Sequence, residues 1–187
     1  MARFVKKPNQ HPLYFIAILP PSNIRDEIRL IKEEIKKNYD VKHALKLPAH
    51  ITLQIPFRIS EEQELLLLSK LTSFVNDIDS FKVEMNGFGH FSKNVIFVKV
   101  SNHSPFIKLH ADLKEMINSV VDLKSHEISS KIHPHLTIAV RDLKRSNFSA
   151  IWQNFENKAY SNSFMAKSLV LLKHNGKNWD VIRKFKF

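Results

Sequence analysis

The 187-residue chain has no cysteine, which excludes thiol nucleophiles, Cys-ligated zinc, iron–sulfur clusters and disulfide staples. It has three glycines, Gly87, Gly89 and Gly176, too few and too late for a Gly-rich phosphate loop. Walker-type and dinucleotide-binding readings fall with them. No apolar run approaches the roughly 20 residues needed to cross a membrane. The one nearest the start, residues 13–19, follows lysines as a signal peptide's core would. It then meets Pro20-Pro21 and a charged helical pattern, not a cleavage site. A cytoplasmic protein without membrane association is expected. Acidic residues are also scarce, 18 against 29 basic ones, leaving a net charge of +11 and a pI near 9.8. Such a surface concentrates polyanions and speeds their encounter.

What is present patterns as alternating strands and helices. Residues 13–19 read as a buried strand. A helix follows Pro20-Pro21, with Ser22 or Asn23 as cap and Ile24, Ile28, Ile31 and Ile35 along one face. Residues 50–57 alternate as a strand, and 60–78 read as a helix opened by the capping box Ser60-x-x-Gln63. Its leucines 65–68 read as core. Two strands, 81–91 and 95–100, are joined by a turn taken to hold Gly87, Gly89 and His90. A helix over 104–121 carries an apolar stripe of Ile107, Leu113, Ile117, Val120 and Val121. A strand at 135–140, a short helix at 147–158, and a hairpin of 164–174 with 179–187 around Asn175-Gly176 complete the plan. Residues 1–11 are basic and unpatterned, an arm or an edge.

Strand, helix and His-bearing strand thus occur twice. Phe15 precedes His50 by 35 residues and Phe97 precedes His135 by 38. This predicts an internal duplication. The expected fold is α+β, one domain over 1–187 with two pseudo-symmetric lobes, antiparallel sheets and flanking helices around a central cleft. The approximate repeats are 12–91 and 94–174, with a closing strand at 179–187.

The two His-strands share one pattern, His50-Ile51-Thr52-Leu53 and His135-Leu136-Thr137-Ile138. In a strand, positions i and i+2 face the same way, so each motif offers one imidazole and one hydroxyl on a stiff element. The chain has 10 histidines but only three threonines, Thr52, Thr72 and Thr137. Random placement would give on the order of 0.2 His-x-Thr matches, so two at equivalent points of a duplication are a signal. Facing each other across a groove, two imidazoles with ordinary pKa near 6.5 can hold opposite protonation states near neutrality. One takes a proton from a nucleophile while the other gives one to a leaving oxygen. The hydroxyls donate to anionic oxygens between them, which suits displacement at a phosphodiester without a metal or cofactor.

These motifs, with the opening FIAILPP, HITLQIPF and HPHLTIAV, resemble the two-histidine phosphoesterase superfamily. The first motif followed by Pro56-Phe57 is most similar to its bacterial 2′-5′ RNA ligase-like branch. The resemblance implies His50 and His135 as the acid/base pair and Thr52 and Thr137 as phosphate clamps. It also implies that His50 protonates the leaving ribose oxygen while His135 activates water. Arg141 is the candidate for the Arg that often follows the second motif, here at a spacing one residue longer. The implied activity is opening of a 2′,3′-cyclic phosphate on an RNA end or a small nucleotide. The rivals are 2′-5′ RNA ligation or cleavage, and an RNA or phosphate-binding module without turnover. No obligate protein partner is evident, and a monomer is expected.

Other residues weigh less. His133 with His135 lacks a third ligand, so no metal site is expected; His133 fits the groove rim or a strand cap. Arg58, Lys131 and Lys173 are groove cations by position, and Tyr14, Phe57 and Phe91 are the aromatics for base stacking. For each, a solvated charge or a core ring is the simpler reading.

Overall fold

A computed structural model describes residues 11–187, so all but His11 of the expected arm lies outside the described residues. Two four-stranded antiparallel sheets carry the molecule. In chain order the elements are β1 (Leu13–Ile18), α1 (Ser22–Tyr39), β2 (Ile51–Arg58), α2 (Glu61–Phe74), β3 (Phe81–Phe91) and β4 (Val95–Val100). There follow α3 (Ser104–Asn118), β5 (His135–Val140), α4 (Arg145–Gln153), β6 (Ser161–Ala166), β7 (Ser168–His174) and β8 (Trp179–Lys186).

The first sheet runs β2-β1-β7-β8 and the second β5-β4-β3-β6. Each sheet therefore draws strands from both halves of the sequence. β3 leaves the first half to pair with β4, and β7 leaves the second half to pair with β1. The motif strands β2 and β5 take the same place, the sheet edge beside the first strand of their half. Pro56 suits that place, because a missing N–H is tolerated on an edge. The fold is the expected α+β architecture of two similar antiparallel lobes.

β1 is buried on both faces. Tyr14, Ile16 and Ile18 enter the main core with Ile24, Ile28, Leu169 and Leu171. Phe15 and Ala17 point the other way, into a smaller cluster with Val170, Leu172 and Trp179. Burial of an aliphatic or aromatic side chain contributes roughly 1.5–3 kcal/mol, so this central strand anchors both faces. Tyr14 and Phe57 are core rings and are withdrawn as base-stacking surfaces.

Several local readings change. The capping box holds, with Gln63 N–H donating to Ser60 Oγ and Ser60 N–H to Gln63 Oε1. On α1 neither Ser22 nor Asn23 caps; Pro21 is the N-cap, without a side-chain bond. Gly87, Gly89 and His90 lie inside β3, and the turn to β4 falls at residues 92–94. Gly89 has a packing reason to be there, since a Cβ would sit 2.7 Å from Phe97 Cε2 across the strand pair. Residues 164–174 are two strands in different sheets, broken at Lys167. The buried face of α3 is Phe106, Leu109, His110, Leu113 and Ile117, and Ile107 is exposed. Leu67 is core, but Leu65 and Leu66 face solvent, so that run is not a continuous core segment.

Candidate active site

A cleft of about 400 Å³ opens between the two motif strands. Its walls come from α1 (Lys32), a 3-10 turn at His43–Lys46, the residue before β2 (His50), β5 and the residue after it (Thr137, Val140, Arg141), and the β7–β8 turn with its flanking residues (His174, Gly176, Lys177, Asn178, Trp179). Three of the five sequence candidates, His50, Thr137 and Arg141, line this space. His135 and Thr52 stand on the same strands as their motif partners but are not among the lining residues. No aspartate or glutamate lines the cleft among the described residues. Its lining charge is entirely basic.

The two histidines are oriented alike. His50 Nδ1 donates to Pro48 O at 2.9 Å, and His135 Nδ1 donates to His133 O at 2.6 Å. A carbonyl can only accept, so each bond places a proton on Nδ1 and leaves Nε2 with its lone pair free. Each ring also packs on a phenylalanine, His50 on Phe15 and His135 on Phe97. Both threonines sit over the inner neighbour of their strand: Thr52 opposite Ala17, Thr137 opposite Phe97.

Burial governs the proton affinity of both rings. It pulls His50 down to about 4, against the raising effect of the Pro48 carbonyl, and the charges of Lys32 and His135 lower it further. His135 is lowered too, chiefly by burial, with the His133 carbonyl opposing. Both are therefore neutral at pH 7, with the larger depression at His50. β2 and β5, the two motif strands, pack against each other.

Arg141 sits just past β5 in the left-handed region, φ 65°. That kink carries the chain around so that Asp142 Oδ2 accepts from Lys42 N–H at 2.9 Å and His43 N–H at 2.8 Å. The Arg141–Asp142 turn thus braces the 3-10 turn that walls the cleft. Burial, and then the nearby Arg141 and Lys46 charges, hold His43 below its ordinary value.

The remaining candidates fall elsewhere. Lys173 is taken by Glu64, at 2.6 Å, in a bridge that Tyr14 completes by donating to the same carboxylate. Arg58 donates to His11 O, and Lys131 is exposed and does not line the cleft. His90 packs edge-on against Trp152 and Phe148, away from the motifs. Phe91 does stand beside the site, its ring 5.0 Å from those of His133 and His135. His103, His133 and His135 form a row of rings, but no three metal-donor side chains converge among the described residues.

Lys32, His43, Lys46, Lys177 and Trp179 line the cleft, and no motif in the sequence marks them as site residues. Trp179 follows the Asn175-Gly176 turn, which folds it back over Phe15 at 4.6 Å. Lys32 carries a legible sign: it interrupts the Ile24, Ile28, Ile35 stripe of α1 at a position that asks for an apolar residue.

The fold is that of known structures. It superposes on a protein of Thermus thermophilus with TM-score 0.65 at 16% identity, covering 93% of this chain and 97% of that one. Escherichia coli LigT, crystallised with NADP+, gives TM-score 0.61 at 16% identity over 96% of this chain and 99% of its own. LigT has also been crystallised with 3′-AMP. Among sequence relatives, a candidate phosphoesterase of Geobacillus kaustophilus is 28% identical over 145 residues, 76% of this chain and 77% of its own. Another, from Bacillus cytotoxicus, is 30% identical over 126 residues, 66% and 67% of the two chains. The family model of the 2′-5′ RNA ligase superfamily matches residues 20–178. The chain belongs to the 2′-5′ RNA ligase superfamily, the two-histidine phosphoesterases.

Proposed function

We propose that this protein is a metal-independent phosphodiesterase that opens 2′,3′-cyclic phosphates on RNA ends or nucleotides. The observation that carries the reading is the matched pose of His50 and His135, each with Nδ1 tied to a carbonyl and Nε2 free. Such a pair can accept one proton and deliver another in the same displacement, each transfer contributing typically 10²–10⁴-fold. Thr52 and Thr137 donate to the non-bridging oxygens, and Arg141 offers its guanidinium from the cleft wall.

The resemblance assigns His50 to the leaving oxygen and His135 to water. Electrostatics favour the reverse order. His50, held down to about 4, enters the reaction unprotonated and takes the proton of the attacking water. His135 takes up a proton when the phosphate anion arrives and passes it to the departing ribose oxygen. Water adds to phosphorus, the bond to one ribose oxygen breaks, and a phosphomonoester with a free neighbouring hydroxyl results.

The test is phosphorus NMR of a short RNA ending in a 2′,3′-cyclic phosphate, incubated with the protein in excess EDTA. Conversion to a single 2′- or 3′-phosphate supports the proposal and identifies the leaving oxygen. A closed ring with tight binding overturns it in favour of a phosphate-binding module. Joining to a 5′-hydroxyl RNA without hydrolysis overturns it in favour of 2′-5′ ligation.

A further inference from the structure

Lys32 is 4% exposed, on the face of α1 that Ile24, Ile28 and Ile35 bury. Taking an ammonium out of water costs several kcal/mol unless the charge is paired. Its hydrogen bonds are not to a carboxylate but to two carbonyls, Ala44 O at 2.9 Å and Leu47 O at 3.1 Å. Methionine at this position would fill similar space without that cost. An ammonium has three donors, and two are spent on these carbonyls. Lys32 also lines the cleft beside His50, Thr137 and Arg141.

One carbonyl lies within the 3-10 turn at His43–Lys46 and the other belongs to Leu47, its C-cap. One residue further on is Pro48, whose carbonyl holds His50 Nδ1. A single buried charge therefore fixes the segment that sets the His50 tautomer, while standing close enough to act on the ring itself. We infer that Lys32 is a positioning residue for His50: it anchors the 44–47 segment and its positive charge adds to the burial that favours the proton-accepting form of the imidazole. The inference deepens the proposed function and rests on its reading of His50 as the proton acceptor. Among the described residues no acidic side chain lines the cleft to neutralise the charge, and the other basic groups lining it are His43, Lys46, Arg141, His174 and Lys177.

The experiment is an NMR titration of the His50 ring nitrogens in the whole, substrate-free protein. Lys32→Met removes charge and donors; Lys32→Gln removes the charge but keeps an N–H for one carbonyl. Both should raise the His50 midpoint by about 1 pH unit or more, since a unit charge within roughly 10 Å contributes upwards of ~1.4 kcal/mol through an effective dielectric near 20. The acidic limb of kcat/KM should move with it, and Lys32→Arg should restore both. An unmoved midpoint in Lys32→Gln overturns the inference, whatever the methionine variant does. If the variants do not fold, the unsubstituted protein decides. Burial lowers Lys32 to about 8, so the His50 nitrogen shifts should show a second inflection there, and a flat trace overturns the inference. The titration needs no substrate. Coupling without ring opening would leave this inference standing and remove the proposed activity; ring opening without coupling would do the reverse.

Discussion

His50 and His135 hold the same pose from different rows of their sheets. Both donate Nδ1 to the carbonyl two residues upstream, and both lean on a phenylalanine of the adjacent strand, at 5.3 Å and 54° for Phe15 and 4.9 Å and 53° for Phe97. Yet Thr52 pairs with Ala17, whereas Thr137 pairs with Phe97 itself. Phe97 lies directly beneath its motif, and Phe15 reaches its histidine from the next row on that face. The two halves converge on ring pose, not on backbone register.

Depression of the His50 proton affinity gives stability a pH dependence of known sign. The unfolded chain protonates this ring near 6.5 and the folded protein near 4. Between these values the unfolded state binds more protons, so stability rises with pH across that window. Acidification from 6.5 to 4 removes the contribution; above 6.5 it is fully present. Urea midpoints measured from about pH 7 to about pH 4 should fall more steeply for the wild type than for His50→Gln. Parallel curves would contradict the lowered proton affinity of this ring.

Gly89 leaves room for the ring that supports His135. A Cβ there would meet Phe97 Cε2 at 2.7 Å and Cζ at 2.9 Å. Phe97 is hemmed in by Phe91 at 4.4 Å and His133 at 5.7 Å, so it cannot simply swing aside. Gly89→Ala should cost about 1–3 kcal/mol through overpacking. Turnover should fall on the order of tenfold or more as His135 is displaced. Thermal melts and kcat check the two effects, and a wild-type kcat would contradict this support role.

Arg141 combines a strained backbone with a side chain aimed at the cleft. A non-glycine residue in the left-handed region costs roughly 1–2 kcal/mol, which glycine relieves while adding freedom to the unfolded chain. Arg141→Gly should therefore keep its melting temperature to within a few degrees while KM for the cyclic phosphate rises at least tenfold. Arg141→Lys should lie between, since it keeps the charge without the bidentate fork. Full kcat/KM in the glycine variant would remove Arg141 from the site.

Glu127 ties the end of β2 to the segment before β5. Its carboxylate, 4% exposed, accepts from Arg58 N–H and Lys124 N–H, each at 3.0 Å, and its carbonyl accepts from Gln54 Nε2 at 2.7 Å. Glu127→Ala strands two backbone donors and should cost about 2–4 kcal/mol in urea unfolding. Glu127→Gln keeps one acceptor and should cost less. Equal, negligible losses would contradict the tie.

The sequence is most readable where chemistry forces a pattern. His-x-Thr on a strand places both side chains on one face whatever the surroundings, and Ser60-x-x-Gln63 closes its two capping bonds locally. Strand exchange is not readable, because nothing in residues 81–91 or 168–174 records which half they will pair with. The break at Lys167 is hidden for a related reason: strand propensity runs on through Ala166 and Ser168 while the chain changes sheets. Tyr14 and Lys173 look like groove residues in sequence and become partners of Glu64 only once α2 packs beside β1 and β7. Lys32 is the one cleft residue outside the motifs whose oddity is visible, as a charge on an apolar stripe.

The central claim is that His50 and His135 act as one proton-transfer unit. The most direct measurement is the rate of 2′,3′-cyclic phosphate opening by His50→Ala, His135→Ala and the double variant, all in excess EDTA. Each single substitution should cost about 10²–10⁴-fold, and the double variant should be no slower than the worse single, because either loss already breaks the unit. Near-wild-type opening by either single variant would contradict the account.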